Sequence, residues 1–141
     1  MEREIRFGVT VRAPAAAVWP LLTEPRSIPS WWDGLERVTL AGSGAGGVYT
    51  LHYASGSPDT CAVAAWEPDR HLSYAWTSSE PAPTQVTFRI EARPGGCALR
   101  FENTGYGEGE RWDRAYDANF VGWLQMLLAV RRLAGGAASA R

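Results

Sequence analysis

The sequence contains no lysine: all fourteen of its cationic side chains are arginine. That usage reads as codon bias in a GC-rich bacterial genome, and it has a chemical consequence. Schiff-base catalysis normally uses a lysine amine, so lysine-dependent aldolase and pyridoxal mechanisms are excluded. Histidine is nearly as scarce. His52 and His71 are the only two, neither has a partner at metal-ligand spacing, and a zinc site wants three or four protein ligands. Both read as surface side chains, and neither a metal nor a cofactor is expected. Cys61 and Cys97 each fall inside a strand-like run, which predicts buried free thiols in a reducing compartment. No G-x-S-x-G nucleophile elbow occurs.

Excess charge is missing too. A formal net charge of −1 leaves no electrostatic footprint for nucleic acid or an anionic membrane. No apolar run approaches the length of a membrane span, and the N-terminal MEREIRF is charged where a signal peptide would be apolar. A cytoplasmic protein with no membrane insertion is the expectation.

What is present is patterning. Ile5, Phe7, Val9 and Val11 alternate with Arg6, Gly8, Thr10 and Arg12, the period of a half-buried strand. Pro14 suits a helix start, AAAVWPLL follows, and Pro20 inside it predicts a kinked or shortened helix. A second short helix around Ile28–Trp32 would deliver the Trp31–Trp32 pair. Six strands then alternate with turn-forming segments, roughly over 37–41, 48–54, 60–67, 71–77, 84–92 and 97–103. The segments GSGAGG, SGSPD, EPDR, SSEPAP and RPGG separate them, and such short connections predict an antiparallel meander.

Parity gives this meander one aromatic face, with Tyr49, Leu51, Tyr53, Leu72, Tyr74, Trp76, Val86, Phe88, Ile90, Leu99 and Phe101. The other face is polar and includes Thr50, His52, Ser73, Arg89 and Arg100. The strand over 60–67 is ambiguous, because Val63 and Trp66 differ in parity. From Glu110 to Leu133 the text reads as one helix of roughly 36 Å at about 1.5 Å per residue. Its apolar stripe carries Trp112, Tyr116, Asn119, Phe120, Trp123, Met126, Leu127 and Val130, with Arg114, Gln125 and Arg132 opposite. Gly135 and Gly136 are expected to stop it, leaving one domain over 1–134 and a flexible tail over 135–141.

Read in order, AAAVWPLLTEP, WW, GGVYTL, EPDRHLSYAW and the GW of the last helix resemble the START-like (SRPBCC) superfamily. The most similar branch is the one named after the Hsp90-ATPase-activator C-terminal domain. The resemblance runs from about Ile5 to Leu133. It implies an α+β helix-grip fold, in which a curved antiparallel sheet in the order β-α-α-β6-α wraps the long C-terminal helix around an internal cavity. Pro20 and the strand text CAVAAW depart from the family pattern.

Two other motifs carry less. GSGAGG matches G-x-G-x-x-G literally, but a strand follows it where a dinucleotide fingerprint opens a helix; it reads as a glycine hairpin. A cyclase of this superfamily would use an arginine deep in the cavity, yet every inward strand position is neutral, while Arg6, Arg89 and Arg100 point outward. The candidate ligand-binding residues are therefore aromatic: Trp31, Trp32, Tyr49, Tyr53, Tyr74 and Trp76 from the first half, then Phe88, Trp112, Phe120 and Trp123. Tyr116 and Asn119 join them as polar anchors. A buried amide or phenol without a partner costs about 1–3 kcal/mol, so each must meet the sheet, a water or a ligand.

These residues predict a module that binds a small hydrophobic, aromatic or polyketide-like molecule for carriage, sequestration or sensing. A cofactor-independent cyclase or dehydratase, with Tyr116 as candidate proton-transfer residue, is the second reading. A protein–protein adaptor is suggested by the branch name alone, and a homodimer is left open.

Overall fold

The alternation at the N-terminus forms strand β1 (Arg3–Val11), with Ile5 and Val11 fully buried and Arg6, Gly8 and Thr10 turned outward. The computed structural model describes residues 3–77 and 83–139. After β1 comes helix α1 (Ala15–Thr23), which keeps Pro20 and ends three residues beyond it. A 3₁₀ turn (Ile28–Ser30) then carries the chain to Trp31 and Trp32.

Six strands follow: β2 (Leu35–Ala41), β3 (Val48–Tyr53), β4 (Asp59–Glu67), β5 (His71–Trp76), β6 (Thr84–Arg93) and β7 (Gly96–Tyr106). They pair as neighbours through antiparallel ladders, and β1 closes on β7. The result is one seven-stranded curved sheet in the order β1-β7-β6-β5-β4-β3-β2. The GSGAGG segment is the hairpin between β2 and β3. Gly42, Gly44 and Gly46 all take positive φ there, a backbone that side-chain-bearing residues rarely adopt. The turn SSEPAP lies almost wholly outside the described residues.

The parity conflict in the fourth strand has a local cause. The β4–β5 ladder shifts register between Val63 and Ala65, a bulge that turns the strand by one residue. Cys61 and Val63 before it and Trp66 after it all stand opposite inward residues of β5, namely Trp76, Tyr74 and Leu72. Ser73 corrects the outward assignment in the other direction. It is buried although it shares outward parity, because a small side chain on a central strand is overshadowed by its neighbours Ala65 and Thr87.

Helix α2 (Glu110–Ser139) crosses the aromatic face and buries Trp123, Leu127, Val130 and Ala134 against it. This is the helix-grip arrangement. The helix does not stop at Gly135–Gly136. A helical glycine costs only about 1 kcal/mol against alanine, and Gly135 is buried where the helix passes the end of β1: a Cβ there would lie 3.8 Å from the Arg12 backbone nitrogen. Of the expected tail, 135–139 is therefore helix, and 140–141 lie outside the described residues. Both cysteines are free and buried, and burial pushes the Cys61 thiol up.

Candidate ligand-binding site

A cavity of about 610 Å³ opens beside α2. Its walls come from four places in the chain. The 3₁₀ turn and the residues just after it supply Pro29 to Asp33, the facing ends of β3 and β4 supply Tyr53 and Asp59, and β5 ends in Trp76. The remaining wall is the flank of α2 that carries Asn119, Trp123, Met126 and Arg132. Asp33, Gln125 and Arg132 are exposed, so the cavity reaches the surface.

Four of its aromatic walls form one tryptophan cluster. Trp32 lies 5.3 Å from Trp76 and 5.2 Å from Trp123, and 5.6 Å from Trp31, centroid to centroid. These are the tilted and edge-on spacings that aromatic pairs favour. Trp31 is held by its indole N–H, which donates to the Leu21 carbonyl at 2.7 Å. Trp76 has no such anchor. Its Nε1 is the one buried side-chain polar atom without a hydrogen-bond partner among the described residues.

Tyr53 supplies the polar pair of the cavity. Its hydroxyl donates to Asp59 Oδ2 at 2.7 Å, bridging the loop between β3 and β4. Burial, reinforced by that bond, pushes the Tyr53 phenol well above its ordinary value. At neutral pH it is a protonated donor. The described residues contain no group of three His, Cys, Asp or Glu side chains able to hold a metal ion.

The structure brings Trp31, Trp32, Tyr53, Trp76, Asn119 and Trp123 to the cavity and leaves the other six candidates elsewhere. Tyr49, Tyr74 and Phe88 point the same way but lie deeper, in the core. Tyr49 spends its hydroxyl on the Thr23 carbonyl at 2.6 Å, tying α1 to the sheet. Trp112 packs edge-on against Tyr106 at the end of β7, while Tyr116 and Phe120 are on the opposite flank of α2, towards β1. There Tyr116 donates to the Glu4 carbonyl at 3.3 Å with Arg3 over its ring, and Phe120 meets Phe7 edge-on at 5.0 Å. Tyr116 thus stands on the far side of the helix from the cavity.

Gln125 and Arg132, assigned from periodicity to the solvent side, border the cavity instead. The cavity lies along one side of the helix and not beneath it, so the residues next to the buried stripe on that side wall it. Arg132 brings a cation there from the helix, whereas strand parity bears only on cations of the sheet.

Asn119 has two surroundings. It borders the cavity, and its Nδ2 donates to the Tyr106 hydroxyl at 2.8 Å. Tyr106 donates to Asn103 Oδ1 at 2.5 Å, and Asn103 Nδ2 donates to the Gln85 carbonyl at 3.0 Å. This chain of bonds ties α2 to β7 and β6. Sequence reasoning misses Tyr106, because a tyrosine in a glycine-rich loop text, TGYGEGE, gives no sign of inward direction. Replacing Tyr106 with phenylalanine leaves Asn103 Oδ1 and Asn119 Nδ2 without their partner. A loss of about 1–3 kcal/mol in denaturant unfolding is expected, and an unchanged midpoint would show that the network is not structural.

Comparison with known proteins agrees with this architecture. The family model of polyketide cyclase / dehydrase and lipid transport proteins matches residues 3–140. Protein MLL2253 from Mesorhizobium loti is 26% identical over 93% of this chain and 96% of its own, with a TM-score of 0.77. The Aha1 dimer from Colwellia psychrerythraea, at 15% identity, covers 94% and 96% with a TM-score of 0.79. Protein SA2116 from Staphylococcus aureus, at 12% identity, covers 99% and 97% with a TM-score of 0.81. No curated protein matches the chain. With the helix-grip fold of the START-like superfamily and a family match over nearly its whole length, the chain belongs to the polyketide cyclase / dehydrase and lipid transport family.

Proposed function

We propose that the cavity beside α2 binds a small, flat, hydrophobic molecule of aromatic or polyketide-like character, for carriage, sequestration or sensing. One observation carries this reading: a tryptophan-walled cavity lined in part by Trp76, whose buried indole N–H has no partner among the described residues. An unsatisfied buried donor costs about 1–3 kcal/mol, a cost that a ligand oxygen would offset once binding turns the Trp76 ring toward it. Apolar walls with a few placed polar groups are also the usual composition of small-molecule sites.

The test is a titration with 9,10-anthraquinone and with anthracene, the matched hydrocarbon without an acceptor, followed by quenching of tryptophan emission. Both should saturate, the quinone more tightly. Trp76→Phe should weaken the quinone about tenfold, the equivalent of about 1.4 kcal/mol, and leave anthracene nearly unaffected. No saturable quenching by either compound would refute the proposal.

The Tyr53–Asp59 pair favours one alternative, a cyclase or dehydratase acting in the same cavity. A phenol bonded to a carboxylate can move a proton once a substrate displaces that bond. Tyr53, and not Tyr116, is then the candidate acid. Recovery of an added polyketide-like compound in altered form, abolished by Tyr53→Phe, would establish catalysis; recovery unchanged would favour binding alone.

A further inference from the structure

The flank of α2 facing away from the cavity carries an apolar stripe that no described residue covers. Phe120, Leu124 and Leu128 are 36–38% exposed and Val121 is 55% exposed, large values for side chains of this size on a helix that is half buried. The stripe continues onto the neighbouring strand through Phe7, which Phe120 touches. At about 100° per residue it runs through Asp117, Phe120, Leu124, Leu128 and Arg131, with Val121 beside it. Steps of three, four, four and three residues keep it on one side of the helix and read the same in both directions from Leu124. Asp117 and Arg131 are exposed, and neither has an ion-pair partner among the described residues.

We infer that this stripe is the seat of a second copy of the chain, with the two α2 helices antiparallel about a two-fold axis at Leu124. The seam is self-complementary in that arrangement. Leu124 meets Leu124 of the second copy, Phe120 meets Leu128, and Asp117 meets Arg131 at both ends. A two-fold interface requires this kind of match, since the same patch must serve both sides. Charge decides between this occupant and a membrane. A helix lying on a lipid surface flanks its apolar face with cations, whereas this seam is closed by one anion and one cation, placed where each would face the other. Within one chain Asp117 and Arg131 are about 21 Å apart along the helix at about 1.5 Å per residue, so they can pair only between copies.

Sedimentation of the full chain between about 1 µM and about 1 mM, a range that covers weak self-association, tests the inference. A reversible monomer–dimer equilibrium is expected. Asp117→Arg and Arg131→Asp should each weaken it about tenfold or more, because each sets like charges opposite one another at both ends. An equimolar mixture of these two variants should regain the wild-type affinity, since both ends of the mixed dimer again pair opposite charges. Leu124→Glu should give a monomer. All three sites are exposed, so circular dichroism melts should stay as wild type and separate lost association from lost folding. A chain that is monomeric throughout, a dimer indifferent to Leu124→Glu, or a mixture that fails to re-associate would overturn the inference. So would a monomer that binds phosphatidylcholine vesicles through this stripe.

Discussion

Replacing Trp123 with alanine is expected to lower stability by about 3–5 kcal/mol, the cost of deleting a large buried ring. Trp123 is 2% exposed and stands where helix, sheet and cavity meet. Its ring is 4.5 Å from Phe101, 6.0 Å from Phe88, 5.2 Å from Trp32 and 6.1 Å from Trp76. Cavity formation adds to the loss of apolar transfer, because neighbours drawn from three strands and a tight turn cannot all collapse into the gap. The same substitution joins the new void to the existing cavity, so affinity for flat aromatic probes should change with it. Arg114→Ala, on an exposed position of the same helix, should alter neither. Urea unfolding monitored by circular dichroism measures the first effect and quenching titrations the second. A loss below about 1 kcal/mol, the level of an ordinary exposed substitution, would mean that the ring cluster does not hold the helix in place.

Gly96→Ala is expected to cost about 3 kcal/mol or more, at or above the upper end of ordinary overpacking. Gly96 begins β7, and a Cβ on it would lie 2.0 Å from the Val11 carbonyl oxygen and 3.3 Å from the Ala13 nitrogen. Both neighbours are backbone, at the point where β1 leaves the sheet and turns toward α1. Relief therefore requires moving the end of β1, whose Val11 pairs with Cys97 and is fully buried. The melting temperature should fall on the order of 10 °C for a domain of this size. Gly8→Ala is the matched control. It lies in the middle of β1 with nothing within 4 Å of the position a methyl group would take, and it should be neutral or stabilising by up to about 1 kcal/mol. Equal melting temperatures for the two variants would contradict the close approach of β1 to the start of β7.

Neither effect can be read from the text RPGGCALR, in which Gly95 and Gly96 look alike. Gly95 has φ +80 and serves the turn through its own backbone, a local requirement that turn chemistry announces. Gly96 is required by β1, a strand from the far end of the chain. A residue's own conformation leaves a trace in the local pattern; a clash with distant backbone does not.

The same distinction runs through the site. Strand periodicity and turn residues were sufficient to place all seven strands, the long helix and the aromatic face, because those signals repeat every two or every 3.6 residues and each repeat supports the next. Tyr53 and Trp76 were legible as candidates because inward parity is a local property, Trp123 because helical periodicity is, and Trp31 and Trp32 because a short helix was expected to deliver them. Depth along the inward direction is not local. Tyr49 and Tyr74 share that parity and are buried in the core, while Tyr53, four residues from Tyr49, reaches the cavity because the β3–β4 ladder ends at Leu51 and Asp59.

The helix shows most clearly what tertiary structure alone decided. Periodicity determined that one side of α2 is apolar, and the buried Trp123, Leu127 and Val130 form that side. It could not determine on which shoulder the cavity would open. The sheet wraps α2 unequally: β1 and β7 approach one shoulder, where Tyr116 bonds the Glu4 backbone, and the Trp31–Trp32 turn stands off from the other and leaves space. That asymmetry comes from the curvature of the sheet and the path of the chain between α1 and β2. It sends Asn119, Gln125 and Arg132 to the cavity and Tyr116 and Phe120 away from it. The sequence by itself determined the elements and their greasy faces, through short-range repeats. Which of two equivalent helix flanks opened onto the cavity was settled only by long-range packing, to which no local pattern responds.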